Sequence, residues 1–187
     1  MTTVLSVLIP TVIGREGKLA SVVRTLAPQV SRPDVELLIL PDARQMSIGD
    51  KRNHMIELAS GEYVSFVDDD DAVATDYVPV ILEALRDRPD VVCFSVLVRG
   101  YGKDKICRYS PMFAHADLPH EYRRKPNHLM VWRRELARRV PFPSLRHGED
   151  TAWAEKMAQL AKRAVILERS LYTYQFDAMD NATTGKR

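Results

Sequence analysis

Gly61-Glu62-Tyr63-Val64-Ser65-Phe66-Val67-Asp68-Asp69-Asp70-Asp71 is the stretch on which the fold turns. Tyr63 to Val67 is a short apolar and β-branched run of the kind buried on both faces of a parallel sheet, and it runs straight into four carboxylates. Upstream, Val4 to Ile9 and Val35 to Leu40 repeat the strand signature, the first ended by Pro10 and the second by Pro41-Asp42. Between them Leu19, Val22, Val23 and Leu26 recur at helical spacing, and Pro28 is expected to close that helix. Ile48, Met55, Ile56 and Ala59 mark a second helix starting near Ser47; Tyr77, Val80, Ile81, Ala84 and Leu85 mark a third, and Val91 to Val98 is a fourth strand. This alternation predicts an open, mostly parallel α/β sheet with right-handed crossovers. Ligands in such sheets sit beyond the carboxyl ends of the strands, where Pro10-Thr11, Asp42 and the aspartate run all lie.

The alternation stops after Val98. Arg99 to Asp104 reads as a hairpin turn leading to Ile106-Cys107-Arg108-Tyr109, and Ser110 to Asn127 shows no period and reads as a functional loop. A short basic helix over Arg133 to Val140, a break at Pro141-Phe142-Pro143 and a helix over Glu149 to Ala161 follow. Val165 to Leu167 and Leu171 to Tyr174 read as two short edge strands, and Asp177 to Arg187 as a frayed tail. The second half thus has an α+β texture, and 1–98 and 99–187 are expected to be two halves of one domain.

At 187 residues, with 45% hydrophobic and 28% charged residues, the chain has the size and balance of one globular domain, which argues against disorder or a fibrous repeat. Cys93 and Cys107 are too few for a disulfide framework and lack zinc-site spacing. No apolar run approaches the roughly 18–20 residues of a membrane span, and Met1 to Leu5 carries no secretory signal, so a cytoplasmic protein is expected. The net charge of +2 hides an asymmetry: 9 basic against 15 acidic residues over 1–98, then 12 against 4 over 99–146.

Four adjacent carboxylates raise each other's pKa unless a cation neutralises them, and magnesium, manganese or calcium suits oxygen ligands. The same run also suits the acidic first turn of a helix, and spacing alone leaves both readings standing. Glu149-Asp150 likewise opens a predicted helix, where an acidic first turn accounts for it.

Val7-Leu8-Ile9-Pro10-Thr11, Leu38-Ile39-Leu40-Pro41-Asp42, Gly49-Asp50-Lys51-Arg52-Asn53, Ala59 through Asp71 and Gly148-Glu149-Asp150, taken in order, resemble the motifs of inverting family 2 glycosyltransferases of the GT-A, Rossmann-like fold. The resemblance covers residues 4 to about 174. It implies transfer of a sugar from a nucleoside diphosphate donor, a UDP-sugar favoured, to a hydroxyl acceptor with inversion. It makes Pro10, Thr11, Asp42, Arg52, Asn53, Asp68 and Asp69 donor contacts and Asp70 a ligand of Mn2+ or Mg2+; His128, on an expected strand, reads either as a further ligand of that metal or, more commonly for such a residue, as a core histidine with a satisfied hydrogen bond. Asp150 becomes the general base. Glu149 and Arg146 become acceptor contacts, Arg146 and His147 also reaching the diphosphate, while Trp153 reads either as a stacking platform for the acceptor or, more commonly in a first helical turn, as ordinary packing.

Two departures accompany the resemblance: the chain is short, and a single aspartate follows the second strand. The basic block over 99–146, including Arg123-Arg124-Lys125, suggests an anionic acceptor, such as a phosphorylated glycan or a hydroxylated base in DNA, or contact with a peripheral membrane or DNA; an ordinary solvated basic helix explains it equally. The competing functions are a non-enzymatic nucleic-acid-binding module, which leaves the aspartates unexplained, and a nucleotidyltransferase, whose glycine-rich phosphate loop Pro10 to Arg15 matches poorly. Donor cleavage products separate all three.

Overall fold

A computed structural model describes residues 2–100, 102–145 and 148–175. Leu5–Val12 (β1) pairs in parallel with Val35–Asp42 (β2) on one side and Tyr63–Phe66 (β3) on the other. Glu16–Val30 (α1) and Ile48–Leu58 (α2) make the crossovers. The short Ala72–Val73 (β4), Tyr77–Leu85 (α3) and Val91–Arg99 (β5) follow. In the second half come Lys105–Tyr109 (β6), Ala116–Asp117 (β7), Glu121–Arg124 (β8), Val131–Arg133 (β9), Arg134–Arg139 (α4), Glu149–Leu160 (α5) and Ala164–Gln175 (β10). The sheet order is β2-β1-β3-β9-β5-β6-β8-β7, with β10 running parallel to β5 and antiparallel to β4. Helices α1 and α3 pack together, as do α2, α4 and α5, so the expected α/β architecture with helices flanking the sheet is present.

Consecutive crossovers do not place β5 beside β3. The reversed strand β9 sits between them, pairing Tyr63 with Arg133 and Val91 with Trp132. Four further expectations are corrected. Helix α1 runs through Pro28 to Val30 although Pro28 has no N–H for the carbonyl four residues back, and Gln29 holds that turn by donating to Thr25 O and Ala74 O and accepting from Val78 N. Residues 110–127 are not a bare loop: β7 and β8 extend the sheet from β6. The two expected edge strands at the end are one strand, β10, with register shifts near Ser170. His128 lies in the turn before β9, not on a strand.

Both strand-end prolines fit their ladders. Val67 N donates to Leu8 O, so even-numbered residues of β1 face β3, and Pro10 falls past the last β3 residue, Phe66. Ile13 N donates to Asp42 O, so the alternate residue Pro41 turns its missing N–H to the open edge. At the other end of β1, buried Ser6 donates to Glu36 and accepts from Gly61 N. A Cβ on Gly61 would stand 2.6 Å from Ser6 N, so only glycine lets β1 and the start of β3 approach this closely.

Candidate active site

The carboxyl ends of β1, β2 and β3 bring together what the sequence separates. Thr11, at the end of β1, donates its hydroxyl to Asp69 Oδ2 at 2.5 Å. Lys51, on the first turns of α2, reaches back to Thr11 O at 2.6 Å and pairs with Asp42. Burial raises the Asp42 carboxyl, but hydrogen bonds from Lys51 and Met46 N outweigh it and hold the group below the usual carboxylate range. Ser47 caps α2, accepting from Asp50 N at 3.1 Å, and so fixes the helix end from which Lys51 and Arg52 project.

The four aspartates divide by direction. Asp69 turns inward to Thr11 and Arg15, and burial, with the charges of Asp70 and Asp68, raises its carboxyl despite those partners. Asp71 is buried, accepting from Tyr172 Oη at 2.7 Å and Gln175 N at 2.8 Å, and burial together with the Asp68 charge pushes it up to about 8. Tyr172 Oη also accepts from Asp68 N at 3.0 Å, so one hydroxyl on β10 ties both ends of the turn. Asp68 and Asp70 face outward, with side chains 26% and 32% exposed against 4% for Asp69. Alternation along the turn thus leaves the first and third carboxylates accessible.

Arg52 is buried between Asp68 and Glu149, its guanidinium 5.8 and 5.7 Å from the rings of Phe66 and Phe142. His128 Nε2 lies 3.3 Å from Asp68 Oδ2, and its Nδ1 faces Asp150 Oδ2 at 3.8 Å. Burial alone would raise the Asp68 carboxyl; the charges of His128 and Arg52 hold it far below the usual range. Asp150 stands in the first turn of α5 with its side chain 30% exposed. Asp68, His128 and Asp150 line a cavity of about 540 Å³ together with Tyr109, Tyr122 and Tyr174.

Several expected contacts turn inward. Asn53 uses both ends of its amide on the Phe142 backbone, at 2.9 and 2.8 Å, and so fastens the segment ahead of α5 to α2. Trp153 is 1% exposed, stacked on Phe142 at 4.4 Å and bonded through Nε1 to Val140 O, which leaves no face for an acceptor sugar. Glu149 is buried against Arg52. Pro10 is buried within β1. Arg146 and His147, like the tail beyond Gln175, lie outside the described residues.

Arg15, Lys51 and Tyr172 were given no role by sequence: Lys51 sits inside the Gly49 to Asn53 motif beside residues that drew the assignment, and Arg15 and Tyr172 act on partners 55 and 101 residues away. The basic block is largely paired. Arg108 and Arg123 share Glu121, Arg124 meets Asp117, Lys125 meets Glu155, Arg138 meets Glu57, and Arg139 meets Glu135.

Among the described residues no three His, Cys, Asp or Glu side chains converge into a protein-only metal cage. A cation completed by substrate phosphates needs only one or two carboxylates, and this turn offers them. Asp70 supplies a hard oxygen with its side chain 32% exposed, and the buried Nδ1 of His128 has no hydrogen-bond partner. These residues fit such an ion.

A sequence model of glycosyl transferase family 2 matches residues 38–154. The "Putative glycosyltransferase EpsH" of Bacillus subtilis (strain 168) is 24% identical over 177 residues, which cover 80% of this chain and 47% of that protein. Among solved structures, S. aureus TarS 1-349 in complex with UDP-GlcNAc superposes with a TM-score of 0.73 at 18% identity, over 94% of this chain and 59% of that one. The mannosyltransferase PcManGT from Pyrobaculum calidifontis, in complex with GDP-Man and Mn2+, superposes with a TM-score of 0.58 at 19% identity, over 93% of this chain and 57% of that one. These likenesses show the GT-A fold, and the chain spans about half the length of its curated relative.

Proposed function

The chain belongs to glycosyl transferase family 2, and from that premise we propose that it moves a sugar, with inversion, from a nucleoside diphosphate donor to a hydroxyl acceptor. The observation that carries the proposal is the outward carboxylate of Asp150 facing the cavity it shares with Asp68 and His128. A sugar hydroxyl is a weak nucleophile at neutral pH, so a carboxylate within reach must accept its proton as the oxygen attacks the anomeric carbon. Attack on the face opposite the diphosphate breaks the bond from the anomeric carbon to the phosphate oxygen. The nucleoside diphosphate leaves, and a single displacement inverts the centre.

Residues 1–98 form the donor half in this reading. Asp42, held ionised by Lys51, can accept the ring N–H of uracil, which favours a UDP-sugar, and Asp68 faces the ribose. UDP-GlcNAc in the TarS structure and GDP-Man in the PcManGT structure support a nucleotide-sugar donor of this class. Asp70 and His128 would hold Mn2+ or Mg2+, which when bound supplies Lewis-acid neutralisation of the departing diphosphate. Arg52 fixes Asp68 and Glu149 relative to each other, and His128 sits against Asp68 with its Nδ1 facing Asp150, which sets the donor side next to the base.

Residues 99–187 form the acceptor half. Arg124 and Lys125 on the cavity wall are already neutralised by Asp117 and Glu155, which supports a glycan hydroxyl as acceptor over an anionic one. Calorimetric titration of UDP, GDP and dTDP, with and without Mn2+, tests the donor site without knowledge of the acceptor. Metal-dependent binding of one of them supports the reading. Binding of none, together with salt-dependent binding of DNA or RNA, refutes it in favour of a nucleic-acid-binding module, and pyrophosphate as product would refute it in favour of nucleotidyl transfer.

A further inference from the structure

Arg15 begins α1 in the turn that follows β1, and its guanidinium lies over the aspartate turn. Its Nη2 hydrogen-bonds Asp70 Oδ2 and stands 3.2 Å from Asp69 Oδ1, so a single nitrogen bridges two carboxylates. The other aspartates have different compensation: Asp68 has Arg52 and His128, and Asp71 has the Tyr172 hydroxyl and the Gln175 amide. Among the described residues, the cation set on Asp70 is Arg15. Asp70 is also the most open carboxylate of the turn for which an ion pair is seen, at 32% side-chain exposure.

We propose that Arg15 makes divalent-cation binding conditional on the nucleotide: its guanidinium holds Asp69 and Asp70 when no donor is bound and transfers to the donor's diphosphate when donor and cation enter together. This rests on the reading of Asp70 as the carboxylate that takes the cation. A divalent ion binds a carboxylate oxygen at about 2.0–2.2 Å, which brings it within a few ångström of a guanidinium held by the same group. Even with the screening of bulk water, repulsion between a double and a single positive charge at about 5 Å weakens binding on the order of tenfold. A diphosphate removes that opposition, because the planar fork of arginine matches phosphate oxygens as well as it matches carboxylate oxygens. Cation and nucleotide then raise each other's affinity by the same factor, and the size of that factor depends on Arg15.

The test is calorimetric titration of MnCl2 into the wild type, Arg15→Gln and Arg15→Lys, each with and without saturating UDP, with thermal melts to show that all three fold. Arg15→Gln should bind Mn2+ alone about tenfold or more tightly than the wild type, and UDP should enhance its Mn2+ binding less. Arg15→Lys, which keeps the charge, should stay close to the wild type. Equal Mn2+ affinity of wild type and Arg15→Gln without UDP overturns the proposal. So does metal-independent UDP binding by the wild type that Arg15→Gln loses, since the guanidinium would then stand in for the cation. If UDP binds but no form takes up Mn2+ even with UDP present, this inference falls with the metal assignment while the donor site survives. If UDP does not bind at all, the proposed function fails, and a gain of Mn2+ affinity in Arg15→Gln still supports the role of Arg15 on Asp70.

Discussion

Gly49→Ala should destabilise the protein although alanine is the better helix former. Gly49 is the second residue of α2, where the exchange favours alanine by less than the roughly 1 kcal/mol of a helix interior. Opposing it, a Cβ on Gly49 would lie 2.1 Å from Pro143 O and 3.1 Å from Pro143 C, about 1 Å inside any tolerable approach of carbon to a carbonyl oxygen. The obstacle is backbone, so no side-chain rotation relieves it, and the Pro141-Phe142-Pro143 segment has to move. That segment is held by two Asn53 bonds to the Phe142 backbone and by Ser144 Oγ donating to Asp50 at 2.6 Å. Displacing it by 1 Å weakens three hydrogen bonds, each worth about 1 kcal/mol net. It also lifts Phe142 off Trp153 and Arg52, whose ring contacts add about 0.5–1.5 kcal/mol.

After subtracting the helix gain, the net loss is about 2–4 kcal/mol, which lowers Tm by roughly 5–12 °C in a domain of this size. Urea denaturation followed by tryptophan fluorescence measures it directly, because Trp153 reports on the same cluster. The segment leads into α5, so transfer activity in Gly49→Ala should fall more than donor binding does. A variant as stable as the parent, or more stable by the helix-propensity increment, would refute the close approach of α2 to this segment.

Further expectations follow from the same geometry. Asp150→Asn removes the proton acceptor and nothing on the donor side, so transfer should drop about a hundred- to ten-thousand-fold while UDP binding is retained; equal loss of both in calorimetry and turnover assays would assign Asp150 elsewhere. Asp70→Ala should abolish the Mn2+ dependence of UDP binding, and a variant that still needs the metal would transfer that role to another carboxylate. Asp42 has a folded pKa below its unfolded value of about 3.9, so its contribution is complete above that value and is lost as pH falls through the folded one. Lys51→Met should flatten that acid limb of a urea-midpoint profile, and an unchanged limb would exclude the Lys51–Asp42 pair as its source. Trp153→Phe should cost about 1–2 kcal/mol through the lost Val140 bond and packing but leave acceptor KM unchanged; a raised KM with unchanged stability would return Trp153 to the acceptor site.

Much of the first half was legible because its signals are local. An apolar run of β-branched residues ended by a proline or glycine names a buried strand wherever it sits, and helical spacing after Ser47 needed only its cap to begin. The second half was less legible. Strands β7 and β8 are two and four residues long, too short for any period, and exist because β6 offers them an edge. Pro28 reads as a stop in sequence, yet tertiary bonds from Gln29 carry the helix past it.

The sequence by itself determined that strands and helices alternate, that polar residues gather at strand ends, and that Asp68 to Asp71 and Glu149-Asp150 carry the charge. Tertiary structure alone decided which of those groups face outward. Asp68, Asp70 and Asp150 remain accessible, while Asp69, Asp71 and Glu149 are held inward by Thr11, Tyr172 and Arg52. It also decided that Trp153 and Asn53 build the core and that Arg15 lies on Asp70. The physical reason is that composition and periodicity encode what a segment does with its own neighbours. Whether a carboxylate is open or spent depends on partners 55 to 104 residues away, and only the folded chain brings those together.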